Sequence, residues 1–151
     1  MKKISSSLLI FSTFVDSSIF NSQSLIHPEV NRNGMVVTQH YLATDVGAKI
    51  LEDGGNAYDA SIAVAFTLAV VEPSMSGIGG RLQAIYMTSD GDISGVNAMT
   101  QIPESYTKSE GEENDSYGYK TIGIPGVVAG LLKLHEDHGK LDLETVMKPA
   151  I

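Results

Sequence analysis

The stretch from Ala57 to Val71, AYDASIAVAFTLAVV, limits the fold of this chain more than any other. Its side chains are small or apolar on almost every side of a helical projection. A helix of that kind is buried on most faces, because no polar stripe is left for water. Asn56 stands where an N-cap belongs, and Asp59 falls in the first turn, beside the positive end of the helix dipole. Pro73 bars continuation at the other end. With Asp59 near its start, the segment falls short of the roughly 20 apolar residues that a membrane span needs. It must therefore be covered by other parts of a globular fold.

Those parts can be read on either side. Met35 to Thr38 is a short β-prone run and predicts a buried strand. Leu42 to Glu52 carries apolar residues at helical spacing, and Gly54-Gly55 stop it. Ser74 to Gly80 is a glycine-rich loop. Leu82 to Met87 reads as a strand, Asp90-Gly91 as a hairpin turn, and Ile93 to Val96 as the return strand. Lys120 to Ile124 predicts another short strand, and Pro125 suits the first turn of the helix that follows, ending near His138 before Gly139. Asp142 caps a last helix from Leu143. Helices and hairpin strands in mixed order imply packed layers of sheet and helix, an α+β fold.

Both ends of the sequence differ from this body. Met1-Lys2-Lys3 precedes a mostly apolar or small run from Ile4 to Val15, the plan of a secretory signal over about residues 1–17. Residues 18–33 form a polar lead-in closed by the turn-forming Asn31-Arg32-Asn33-Gly34. The partial domain then runs over 34–151. It finishes on Pro149-Ala150-Ile151, mid-segment, as a truncated sequence would.

Composition removes several function classes. Ten Lys+Arg against eighteen Asp+Glu leave a net charge of −8, which disfavours nucleic acid as a partner. The chain has no cysteine, so thiolate metal sites and cysteine nucleophiles are excluded. Residues 104 to 116 hold Glu104, Glu110, Glu112, Glu113 and Asp115 and read as a solvated loop. His135 and His138, three apart at a helix end, lack the interposed Glu and a third ligand, so they read as polar residues favoured at a helix C-terminus. No Gly-x-Ser-x-Gly elbow, dinucleotide fingerprint or phosphate loop is present. The Gly77-Ile78-Gly79-Gly80 run fits two uses: a close-approach loop under an active site, or a tight turn that lets a helix pack on a strand.

Three stretches together carry a resemblance: Gly34 to Ala48, Gly54 to Ala60, and Val71 to Gly80. Tyr119 to Gly130 and the tail from Gly139 to Ile151 continue it. In this order and spacing the chain resembles the start of the large subunit of the γ-glutamyltransferase (γ-glutamyltranspeptidase) family. The resemblance implies an αββα sandwich of the N-terminal-nucleophile hydrolase type, made as a precursor that cuts itself into two subunits. The new N-terminal Thr of the small subunit would attack γ-glutamyl amides such as glutathione and pass the acyl group to water or an amino acid, with no cofactor. An N-terminal amine titrates near neutrality and can take the hydroxyl proton. No catalytic residue of this chemistry falls within the 151 residues, so the small subunit is the implied partner, and the chain alone would be inactive.

One large-subunit element does fall inside. The resemblance implies a substrate-clamping Arg in an Arg-Glu-x-x-Pro context. Counting back from Pro103, that place holds Met99, which cannot form paired charge-assisted bonds to a carboxylate. Arg81, directly after the glycine run, is a candidate to take the anion-binding role, with Thr100 and Gln101 lining the pocket. Alternatively, Arg81 pairs with a nearby carboxylate. The expected enzyme is a secreted or periplasmic γ-glutamyltransferase or glutathione hydrolase. The alternatives are a cephalosporin-type acylase and a non-catalytic secreted module of the same fold.

Overall fold

The computed structural model describes residues 30–31, 34–106 and 118–151. The expected secretory signal and most of both the lead-in and the acidic loop lie outside the described residues.

The central element is the apolar helix. The first helix, α1, spans Tyr41–Glu52, one residue longer at its start than expected, and α2 spans Ala57–Val71, with the bounds the sequence predicts. Asn56 Oδ1 accepts from the N–H of Tyr58 (2.9 Å) and Asp59 (3.0 Å), and Asp59 Oδ2 accepts in return from the Asn56 N–H at 3.0 Å. This reciprocal cap satisfies donors that a helix start otherwise leaves open. α1 has a cap that was not read from the sequence: His40 Nδ1 accepts from the Leu42 N–H at 3.2 Å. The two helices pack on each other across a tight turn, in which Gly54 adopts a φ of +93°.

Ile62, Ala63 and Phe66 of α2 are buried with Ile50 of α1. Leu131 and Leu134 of α4 (Val127–His138) and Val146 of α5 (Leu143–Met147) complete this core. Ser61 and Val70 of α2 remain exposed, so its outer side is uncovered by the described residues.

Strands β3 (Leu82–Met87) and β4 (Ile93–Ala98) form an antiparallel hairpin in which Leu82 faces Ala98 and Met87 faces Ile93. The return strand is two residues longer than expected. Leu82, Ala84, Tyr86 and Val96 turn toward the core. Ile85, Met87 and Ile93 on the opposite face are 86%, 67% and 76% exposed. Alternation of this kind follows from the two-residue period of a strand.

Four expectations need correction. Met35–Thr38 is not a buried strand. Only β2 (Gly34–Met35) is paired, with β1 (Val30–Asn31), and Met35 and Val37 point outward. Val36 faces inward instead, against Gly47. Pro73 ends α2 but also opens a helical turn, α3 (Pro73–Ser76), in the first part of the expected loop. Lys120 to Ile124 is a 3₁₀ turn at Tyr119–Thr121 followed by a single bridge between Ile124 and Gln101. Finally, α4 starts at Val127 with Gly126 as its cap, two residues after Pro125, because the Gly126 and Val127 N–H groups both donate to the Gly80 carbonyl, at 3.1 and 3.3 Å.

Candidate functional site

The hairpin ends and the start of α4 meet at one place. The Gly80 carbonyl, just before β3, receives the two N–H groups that open α4. The Gly77–Gly80 run therefore acts here as a turn that joins strand to helix. On the other strand, β4 ends at Ala98, and Gln101 exchanges two backbone hydrogen bonds with Ile124, at 3.0 and 2.8 Å. Between these ties lies a groove of about 330 Å³, lined by Met99 and Gln101, by Ile124 and Pro125, and by Ala129 and Lys133 of α4 among others. Apolar residues dominate its wall, and Asn97, Gln101 and Lys133 are its polar members.

The predicted site residues are only partly brought together. Gln101 lines the groove, and so does Met99. Thr100 is exposed and lies off the groove, with its methyl against Gly123. Arg81 is also exposed and off the groove wall. The ladder ends at Leu82 and Ala98, and Arg81 and Met99 are the residues next to that last pair in the chain, at the open end of the hairpin. Met99 occupies the position where the resemblance implies an arginine.

Lys133 was not anticipated. Gly126, Ala129, Gly130 and Lys133 recur at three- and four-residue intervals, one face of a helix, and that periodicity was the available signal. The Lys133 ammonium lies 2.6 Å from Asp137 Oδ1 and 3.4 Å from Glu136 Oε2. The hydrogen bond to Asp137, then that to Glu136, holds its pKa above the usual lysine value. Lys133 therefore stays a cation at neutral pH.

The two C-terminal histidines of α4 have defined structural partners. His135 Nε2 lies 2.9 Å from the Leu141 carbonyl. His138 stacks on Tyr58 with ring centroids 4.5 Å apart and meets the Tyr86 hydroxyl at 3.2 Å. Among the described residues no helix is long and apolar enough to cross a membrane.

The comparisons with known proteins agree with this architecture. The family model described as Gamma-glutamyltranspeptidase matches residues 43–151. A glutathione hydrolase proenzyme of Pseudomonas sp. (strain A14) is 31% identical over all of this chain and 28% of its own length. An acylase ACY 1 proenzyme of Pseudomonas sp. (strain V22) is 36% identical over 82% of this chain and 25% of its own. The crystal structure of Helicobacter pylori γ-glutamyltranspeptidase superposes with a TM-score of 0.72 at 32% identity, covering 81% of this chain and 37% of that one. The chain spans about a quarter of the length of the curated relatives it matches. Its α+β architecture is the N-terminal part of the αββα fold of N-terminal-nucleophile hydrolases. Matched by the family model over most of its length and by solved members in backbone course, this chain belongs to the γ-glutamyltranspeptidase family.

Proposed function

We propose that this chain is the N-terminal part of the large subunit of a secreted or periplasmic glutathione hydrolase or γ-glutamyltransferase, exported through residues 1–17. The observation that carries the reading is the likeness to a glutathione hydrolase proenzyme along the whole chain. The nucleophile is a Thr outside these 151 residues, made N-terminal when the precursor cuts itself. Its α-amine takes the hydroxyl proton while the hydroxyl oxygen attacks the γ-glutamyl carbonyl. The amine leaving group departs protonated, and water or an amino acid then releases the glutamyl group from the ester. By itself the chain lacks this nucleophile and is inactive.

In this reading Arg81 receives the substrate's α-carboxylate, and Thr100 and Gln101 line the pocket. The support is positional: Arg81 and Met99 adjoin the last ladder pair, Leu82 and Ala98, and Met99 and Gln101 line the neighbouring groove. The test uses the complete gene product and measures glutamate release from glutathione. Arg81→Ala should raise KM roughly tenfold or more, the scale expected for losing a charge-assisted anion contact. An unchanged KM and kcat removes Arg81 from the site.

One observation favours a second reading. Met99 and its neighbours give the groove a largely apolar wall, which suits an apolar acyl group better than a glutamyl one. A relative named as an acylase matches the chain at 36% identity. Acyl release from a cephalosporin side-chain amide without glutamate release from glutathione would select this alternative.

A further inference from the structure

Gly126, the cap of α4, and Gly130 within it lie beneath the open end of the hairpin. A Cβ built on Gly130 would come 2.5 Å from the Ala98 Cβ and 2.9 Å from Leu82 Cδ2. One built on Gly126 would run into the Ala98 and Met99 carbonyls. Real Cβ atoms do not approach so closely, and packed interiors pass on even a methyl group of excess volume. Leu82 and Ala98 are the last ladder pair, and Arg81 and Met99 follow them directly. The bare surface of α4, together with the Gly80 carbonyl bound to its first turn, thus sets how close the hairpin mouth lies to the groove wall.

We propose that Gly130 is a positioning residue: by carrying no side chain under Ala98 it lets the end of β4 lie close on α4, and so sets where Met99–Gln101 stand and how the acyl part of the substrate fits. This rests on the reading given under the proposed function. Gly130 also lines the groove, but the effect argued here runs through the strand it packs against. A methyl group there pushes the end of β4 outward and displaces the residues beyond it. Displacements of about 1 Å at a binding constellation cost up to 10²-fold.

The experiment uses the complete gene product and glutamate release from glutathione. Gly130→Ala should raise KM about tenfold with kcat within about twofold. Adding Ala98→Gly removes the methyl that the new one meets, and the double variant should return KM toward the parent value. A merely structural role lowers the melting temperature of Gly130→Ala and leaves KM unmoved, and that result overturns the proposal. Should Gly130→Ala not fold, Ala98→Val crowds the same contact from the strand side and must raise KM likewise, and an unchanged KM there is equally fatal. Absence of glutamate release by the parent protein is a different failure: it removes the proposed function, and this inference with it.

Discussion

Asp59 offers the sharpest test of how the described part is held together. Its side chain is fully buried, and among the described residues no cation forms an ion pair with it. Its carboxylate accepts from the N–H groups of Asn56 (3.0 Å), Lys140 (3.1 and 3.2 Å) and Leu141 (3.3 Å). The Lys140 ammonium is directed elsewhere, to the Gly54 carbonyl at 2.7 Å. Asn56 Nδ2 adds a bond to the His138 carbonyl at 2.7 Å. One carboxylate thus ties the start of α2 to the α4–α5 connection. Asp59→Ala strips the acceptor from three backbone donors, each costing about 1–3 kcal/mol when left unpaired. The sum is roughly 3–9 kcal/mol. Lys140 is exposed, so water can reach part of the site, and the expected loss lies in the lower half of that range, about 3–5 kcal/mol. Urea unfolding of the complete gene product measures the total. Hydrogen exchange of peptides covering 53–60 and 138–142 localises it, with both regions losing protection together. A loss below about 1 kcal/mol, or protection lost in only one of the two peptides, would refute the idea that Asp59 joins them.

Three further outcomes follow from the same structure. Asp142 caps α5 by accepting from the Thr145 N–H (2.8 Å) and hydroxyl (2.7 Å), and these bonds hold its pKa below the usual value. A depressed carboxylate stabilises the fold above its unfolded pKa of about 3.9 and loses that contribution as pH falls through the lower folded value. Protection of the α5 amides, taken relative to their intrinsic exchange rates, should therefore fall in acid below about pH 4, and Asp142→Ala should erase the pH step; a step that survives the substitution assigns it to another group. Lys133→Met should leave the midpoint of a denaturation series essentially where it is, because exposed i,i+4 pairs are weak; a clear downward shift of the midpoint would mean that its pairs with Asp137 and Glu136 matter more than exposure allows. Expressed alone, residues 34–151 should self-associate through the uncovered Ile85, Met87 and Ile93; a monomer with a sharp cooperative melt in sedimentation and calorimetry would contradict this.

What could be read from the sequence was what local chemistry decides. α2 has the expected bounds because its cap, its small apolar residues and Pro73 all act within a few residues of one another. The β3–β4 hairpin was legible for the same reason, through alternation around Asp90-Gly91. Met35–Thr38 and Lys120–Ile124 looked like strands by composition. A strand, however, exists only where a partner supplies its hydrogen bonds, and composition does not say where partners lie. The start of α4 was misplaced because its first N–H groups bond to Gly80, 46 residues earlier. The site shows the same limit. Gln101 lies two residues from Met99, so their common place on the groove wall was within reach of the sequence. That Arg81 and Met99 adjoin one ladder pair depends on hairpin register, and Lys133 enters only when α4 docks on that hairpin.

The central claim is tested most directly by purifying the complete gene product, sequencing the amino termini of its chains and following glutamate release from glutathione. The account predicts two polypeptides, the smaller beginning with Thr, and glutamate formed by the pair. A single uncut chain that releases no glutamate from glutathione would contradict it.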